Sequence, residues 1–350
     1  MESNGRNREM RKVAQIGCGY WGPNLLRNLV FQSACTVKRV IETDPERVAY
    51  VRSNYPDIEV SSRLDDVWRD TDVDAVIVAT PAATHKDIVL QALEAGMHVL
   101  VEKPLALNVP DAELLCRVAL EKDRVLMAGH TFLFNAAIDY LVDALKWRKL
   151  GTLFYIYAQR LNLGRVRADV NAWWNLAPHD VSILLHLLGG ELPKSVSAVG
   201  MEYVQPGVED VVFATLTWSN KVVANVHVSW LDPKKVRQMT LVGSQKMAVF
   251  DDVADNKITF FDHGVDRIPQ KGEMEFDDKT FFQLKHRKGD VVSPFIDMKE
   301  PLKVEIEHFL HCIETGAKPL TGAEHALSVV KVMSAVEQSY KNGGATVEVG

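Results

Sequence analysis

From Lys12 to about Gly129, short runs of β-branched and apolar residues alternate with longer amphipathic segments of helical length. The pattern predicts strands at residues 12–16, 37–42, 75–79, 98–101 and 125–128. Helices are predicted between them at residues 24–31, 46–53, 86–95 and 111–121, with Gly96 placed as a C-terminal cap. Strands separated by helices pair in parallel, so this half reads as a doubly wound α/β domain. Beyond Leu150 the texture changes. Stretches at 153–161, 196–203, 211–218, 222–230, 236–242 and 247–250 are rich in Val, Thr and aromatics, and Ser219-Asn220 marks a hairpin turn. Strands joined by such short turns pair antiparallel. One helix, at 180–188, interrupts them and ends at Gly189-Gly190, and two more are predicted near 304–315 and 322–342.

The expected architecture is therefore an α/β domain over residues 12–129, then an α+β domain with a mostly antiparallel open sheet over 130–350. A frayed, disordered tail occupies 1–11, and the last helix is free to pack back toward the first domain. In the segment 211–218 both alternate faces are apolar: Val212, Ala214, Leu216 and Trp218 oppose Val211 and Phe213. Both sheet faces want cover, one from helices and the other from a second copy of the chain, as in a homodimer or homotetramer, the alternative cover being long loops.

Composition narrows the class. Among 350 residues 47% are apolar and 25% charged, which argues against disorder and against a membrane span. The net charge of −6 offers no basic field for nucleic acid, so a small-molecule ligand is expected. The polar start is neither signal peptide nor anchor. Cys18, Cys35, Cys116 and Cys312 form no CxxC pair, as in reduced cytoplasmic proteins, and imply no disulfide framework or zinc site. No HExxH or GxSxG motif occurs, and His308 and His311 share a helix face without companions, so no metal is expected.

Gly17-Cys18-Gly19-Tyr20-Trp21-Gly22 is a GxGxxG between a predicted strand and a predicted helix, with Pro23 near the helix start. That context makes it a Rossmann dinucleotide fingerprint: a turn, a close backbone approach to pyrophosphate, and a tight helix–strand contact. Glu42, at the end of the second strand, can accept both hydroxyls of an adenine ribose and repels a 2′-phosphate, so NAD is favoured over NADP. Asp44 is the alternative carboxylate, although its place before Pro45 reads equally as a helix N-cap. Arg47 lies close enough in sequence to rescue a phosphate.

Ala79-Thr80-Pro81 with His85, and then Ala95-Gly96-Met97-His98-Val99-Leu100-Val101-Glu102-Lys103-Pro104, resemble the hallmark motifs of the glucose–fructose oxidoreductase / inositol dehydrogenase (Gfo/Idh/MocA) family. The resemblance runs over nearly the whole chain. It implies a cofactor site built from Gly17, Gly19, Tyr20, Trp21, Gly22, Glu42, Thr80, Pro81, His85, Glu102 and Lys103. It also implies that Lys103 lies beside the nicotinamide and the substrate hydroxyl, where an ammonium can stabilise a forming alkoxide. The family's acid–base histidine follows an aspartate by four positions, and here the stretch reads Asn175-Leu176-Ala177-Pro178-His179-Asp180. His179 is kept, but Asn175 can orient groups only by hydrogen bonds. Pro178 suits a first helical position, which would set His179 in the first turn, where the helix dipole favours a neutral imidazole able to accept a proton.

The stretch from Arg160 to Trp174 holds Arg160, Asn162, Arg165, Arg167, Asn171, Trp173 and Trp174, and is similar to the corresponding loop of the branch that oxidises the 3-hydroxyl of nucleotide sugars. Arg160, Asn162 and Arg167, with Asn175 and His179, are the expected substrate contacts, the arginines facing a diphosphate or carboxylate. Two other functions stay open: a free polyol or inositol dehydrogenase, which needs no arginine-rich loop, and a non-catalytic dinucleotide-binding regulator. Retention of Lys103 and His179 argues against the second.

Overall fold

The computed structural model describes residues 10–164, 166–270 and 281–350. Most of the tail expected at 1–11, and Arg165, lie outside the described residues, while Arg11 already belongs to a strand. The chain divides into two compact units, one of Met1–Asn135 with Lys299–Ser334, the other of Ala136–Met298 with Ala335–Gly350. The division thus falls after Asn135 rather than Gly129, and a late segment returns to the first unit.

The first unit carries strands β1 (Arg11–Ile16), β2 (Cys35–Ile41), β3 (Glu59–Ser61), β4 (Ala75–Val78), β5 (His98–Glu102) and β6 (Leu126–Gly129). They form one parallel sheet in the order β3-β2-β1-β4-β5-β6. Helices α1 (Gly22–Val30), α2 (Pro45–Asn54), α3 (Asp65–Trp68), α4 (His85–Glu94) and α5 (Val109–Glu121) connect them. The chain reverses direction across the sheet between β1 and β4, and ligands of such sheets bind at the carboxyl ends of the strands beside that switch point. Leu25, Leu26 and Leu29 of α1 are almost fully buried on Val13, Val37 and Val40. Ile306, Phe309 and Leu310, from the returning segment, complete the same core.

The second unit opens with α6 (Ala136–Lys146) and β7 (Leu153–Leu161), followed by α7 (Ala172–Leu187). Strands β8 (Ser195–Met201), β9 (Val211–Thr217), β10 (Val223–Ser229), β11 (Val236–Gly243), β12 (Met247–Asp251), β13 (Ile258–Gln270) and β14 (Phe281–Val292) come next. The returning segment of the first unit holds α8 (Pro301–Thr315); α9 (Ala323–Lys341) is shared between the units, and β15 (Val347–Glu348) closes the chain. The sheet order is β14-β13-β12-β11-β7-β10-β9-β8-β15, antiparallel except where β7 runs parallel to β10. One face is buried under α7, which packs on β7, β9 and β10. On the other face Tyr155, Tyr157, Val199 and Phe213 stay exposed, with the Phe213 ring stacked on His227 at 4.1 Å.

Helix α7 starts about two turns earlier than the sequence pattern implied. Asn171 is its N-cap, its side-chain oxygen accepting from the Trp174 N–H at 3.0 Å. Pro178 therefore sits inside the helix, and His179 lies well beyond the first turn. The helix-dipole argument for its neutral form does not apply there, because that field fades within a turn.

Candidate active site

In the first unit the glycine fingerprint turns from β1 into α1 at the carboxyl edge of the sheet. Gly17 has φ +90°, and a methyl group on it would lie 2.7 Å from the Ala79 carbonyl oxygen and 2.9 Å from Thr80 Cγ2, so only glycine fits. A methyl group at Gly22 would meet the Gly17 oxygen at 2.9 Å. Gly19 differs: nothing lies within 4 Å of where its side chain would start. The turn is held from inside by fully buried Gln15, whose amide donates to the carbonyls of Gly17 at 2.8 Å and Gly22 at 3.0 Å. Sequence reasoning missed Gln15, although a lone amide among the apolar residues of β1 is a visible signal.

Glu42 stands just past β2. One carboxylate oxygen accepts from the Cys18 N–H at 2.6 Å, and the other from Thr43 and Asp44 at 2.7 and 3.0 Å. It thus ties the fingerprint to the end of β2 and retains lone pairs for ribose hydroxyls. Asp44 caps α2, accepting from the amides of Glu46 and Arg47 at 2.9 and 3.1 Å, which assigns it the capping role. Burial, and then the charge of Glu42, push the Cys18 thiol up to about 11.

Thr80, Pro81 and His85 form the turn after β4. His85 is buried, with Nδ1 2.7 Å from the Pro104 carbonyl and Nε2 2.9 Å from the Thr80 carbonyl. A carbonyl thus faces each ring nitrogen, one from the Thr80 turn and one from the Glu-Lys-Pro turn, and a neutral imidazole donates to one of them at a time, which places His85 between the two turns. Burial pushes its imidazole below the ordinary range. Tyr20 is 84% exposed, and Trp21 hydrogen-bonds Glu102, joining the fingerprint to the Glu-Lys-Pro motif.

Glu102 ends β5, and Lys103 follows with its peptide N–H 3.3 Å from a Glu102 carboxylate oxygen. Burial pushes the Glu102 carboxyl up to about 7, against the pull of the Lys103 charge and of hydrogen bonds from the Lys103 N–H and Trp21. Behind it lies a group that the sequence did not announce. Glu305 of α8 is fully buried and accepts from the Thr131 hydroxyl at 2.7 Å, and burial, then the nearby Glu102, drive its carboxyl well above the usual carboxylate range. His130, buried and edge-on to His325 at 5.4 Å, is held well below the ordinary imidazole range by burial. The charge of Lys103 thus acts on Glu102 and on His130, two groups whose burial works against ionisation.

In the second unit Asn175 and His179 lie four residues apart and so on one face of α7. The indole N–H of Trp230 donates to the Asn175 side-chain oxygen at 3.4 Å. The expected substrate contacts are only partly available. Arg160 is 4% exposed and grips Asp180 with two hydrogen bonds, Nε to Oδ2 at 2.7 Å and Nη2 to Oδ1 at 3.0 Å. It is committed to a buried ion pair and cannot present its fork to a diphosphate. Removing one member of such a pair costs about 3–5 kcal/mol. Trp173 and Trp174 are buried in the fold rather than displayed on a loop, and Asn171 is the helix cap. Arg167 is half-exposed but paired with Asp169, at 2.6 Å between Nη2 and Oδ2. Asn162 remains accessible at the end of β7.

The first-unit residues fit a dinucleotide. The N-cap of α1 makes no side-chain hydrogen bond, so the helix start offers amides to a pyrophosphate, and the space at Gly19 admits its close approach. Among the described residues no group of three or more His, Cys, Asp or Glu is arranged to hold a metal ion, and no helix is long and apolar enough to cross a membrane.

Comparison with known proteins agrees with this geometry. The oxidoreductase family with an NAD-binding Rossmann fold, Gfo/Idh/MocA, matches residues 11–130, and the Gfo/Idh/MocA C-terminal domain matches residues 149–249. UDP-N-acetylglucosamine 3-dehydrogenase of Acidithiobacillus ferrooxidans is 33% identical over 199 residues, 57% of this chain and 61% of that enzyme. The chain spans about three fifths of the length of the curated relatives it matches first. A 2,7-anhydro-N-acetylneuraminate hydratase of Escherichia coli is 26% identical over 93% of both chains. The crystal structure of the A. ferrooxidans dehydrogenase GnnA superposes with a TM-score of 0.76 at 25% identity, covering 95% of this chain and 98% of that one. The chain belongs to the Gfo/Idh/MocA oxidoreductase family, and its first unit is that family's NAD-binding Rossmann domain.

Proposed function

We propose that the protein moves a hydride between NAD and a secondary alcohol carbon of a sugar, the 3-hydroxyl of a nucleotide sugar such as UDP-N-acetylglucosamine or its uronate. The observation that carries this reading is Lys103 at the carboxyl end of β5, beside the fingerprint, in a chain similar to a UDP-N-acetylglucosamine 3-dehydrogenase. Bound NAD supplies the hydride acceptor. Lys103 donates a hydrogen bond to the hydroxyl and stabilises the alkoxide as the hydride departs, and His179 takes the hydroxyl proton. Asn175 orients and cannot accept that proton. Glu42 selects NAD by holding the ribose hydroxyls. Run backwards, the same residues reduce a ketosugar.

A free polyol or inositol dehydrogenase is the second reading, favoured by the engagement of Arg160 with Asp180, which removes one cation from any anionic handle. The exposed apolar patch of the second-unit sheet supports a second copy as its cover, and the scattered, unbonded cysteines support a cytoplasmic setting. The deciding experiment follows NADH formation with UDP-N-acetylglucosamine, its uronate, free aldoses and inositols, with NADP in parallel. Turnover of a nucleotide sugar is the expected result, and turnover of free polyols alone would move the assignment to the second reading. Lys103→Ala should abolish turnover with NAD affinity nearly intact; equal loss of cofactor affinity would count against its role.

A further inference from the structure

We propose that the buried Arg160–Asp180 pair is a positioning clamp that sets the orientation of His179, an inference that rests on the reading of His179 as the proton acceptor. Asp180 follows His179 directly in α7, while Arg160 comes from β7 under the helix. Both are nearly inaccessible, at 4% and 3% exposure, and they meet through two parallel hydrogen bonds at 2.7 and 3.0 Å. Such a fork fixes a plane as well as a distance.

Two features of α7 explain why this turn needs a clamp. Pro178 has no N–H, so the bond it would make to the Trp174 carbonyl is missing one residue before His179. Around and beyond this turn the helix is held largely by buried apolar side chains, Val181, Ile183, Leu184 and Leu185 among them, in a helix packed on the sheet and on α6, and apolar contact of this kind is non-directional. The turns before Pro178 are held directionally by Asn171, Trp174 and Asn175, but the proline weakens their hold on the turn that carries His179, which keeps some freedom to shift. The guanidinium holds the adjacent carboxylate and removes that freedom. An apolar pair of similar volume would give equal or greater stability, so an ion pair at this place is better explained by geometry than by stability.

The test replaces both partners together, Arg160→Met with Asp180→Leu, which leaves no orphaned charge and is expected to keep the melting temperature. With NAD and the best sugar from the screen above, kcat should fall by about 100-fold, the loss typical of a small misplacement. KM for NAD should stay unchanged, and the limb of the pH profile that reports His179 should shift. Arg160→Lys, which keeps charge but loses the fork, should recover part of kcat. In a His179→Ala background the double replacement should cost nothing further. Histidine-labelled NMR gives a substrate-free reading: the His179 ring signal, assigned by its absence in His179→Ala, should move or broaden in the clamp variants. A folded double variant with wild-type kcat, pH profile and ring signal would overturn the clamp, and so would an additional loss in the His179→Ala background. Full activity of His179→Ala alone would instead overturn the reading of His179, and the clamp with it. Should the double variant not fold, Arg160→Lys decides by the same readouts.

Discussion

The three fingerprint glycines make a sharp test because the structure assigns them different duties. At Gly17 an alanine pays twice: φ +90° disfavours any L side chain by roughly 1–2 kcal/mol, and the new methyl meets main-chain oxygen at 2.7 Å. Relieving that contact means shifting the turn away from the end of β4, at a typical overpacking cost of about 1–3 kcal/mol. Gly17→Ala should therefore lose about 2–5 kcal/mol, and at about 2–4 °C per kcal/mol its first unfolding transition should drop by roughly 4–20 °C. At Gly19 neither term exists, since its φ is not left-handed and nothing lies within 4 Å. Gly19→Ala should fold as well as the parent or be about 0.4–1 kcal/mol more stable, because alanine restricts the unfolded chain. Its methyl would occupy space that a pyrophosphate needs, so NAD affinity should fall at least about tenfold, or 1.4 kcal/mol. Calorimetry for stability and fluorescence titration with NADH for affinity separate the two. A Gly19→Ala protein that binds NADH like the parent would refute the seating of the pyrophosphate on this turn, whatever happened at Gly17.

Glu102 yields a pH prediction. Its carboxyl titrates near 7 in the folded chain against 4.5 for the ordinary group, so between those values the unfolded chain releases a proton that the folded one keeps, and stability falls as pH rises. Glu102→Gln should flatten that decline by about 2–3 kcal/mol between pH 4.5 and 7, and a melting-temperature profile parallel to the parent's would contradict the assignment. Glu42→Ala should raise the preference for NADP relative to NAD by about tenfold in kcat/KM, through loss of a like charge facing the 2′-phosphate; an unchanged ratio would remove Glu42 from that role. On the exposed sheet face, Phe213→Asp should yield a smaller species in sedimentation with little change in melting temperature. An unaltered sedimentation coefficient would mean that no copy covers this patch.

Where the hydrophobic pattern was strong, the sequence reading and the structure agree. The strands β1, β2, β4 and β5 were legible because each carries β-branched residues and is bounded by turn residues, and β6 because it is a short apolar run ending in glycine. β3 was not, being three residues long and without a fully buried position. β13 and β14 carry exposed residues on both sides, so no alternation marks them. The start of α7 was hidden by its own chemistry: a segment dense in Arg, Asn and Trp reads as a polar binding loop, whereas Trp173 is fully buried and Asn171 is a cap. Arg160 misled for a related reason. A charged residue in a strand suggests a solvent or ligand contact, and its partner stands twenty residues away on a helix face that local spacing does not reveal. The glycine fingerprint was readable because its backbone geometry dictates glycine, and the Glu-Lys-Pro turn through its resemblance to the family's motif. Glu305, His130 and Gln15 owe their importance to burial, which only the fold creates.

The first unit borrows part of its interior from far along the chain. Leu302, Ile306, Phe309, Leu310 and Ile313 join a cluster whose other members lie no later than Phe134, so the chain must be made as far as Ile313 before that cluster is whole. During synthesis the dinucleotide-binding half would wait, with an oily gap on its α1 side, until its last helix emerged from the ribosome. A truncated product ending before α8 would keep every residue of the glycine fingerprint and still be prone to stick to itself.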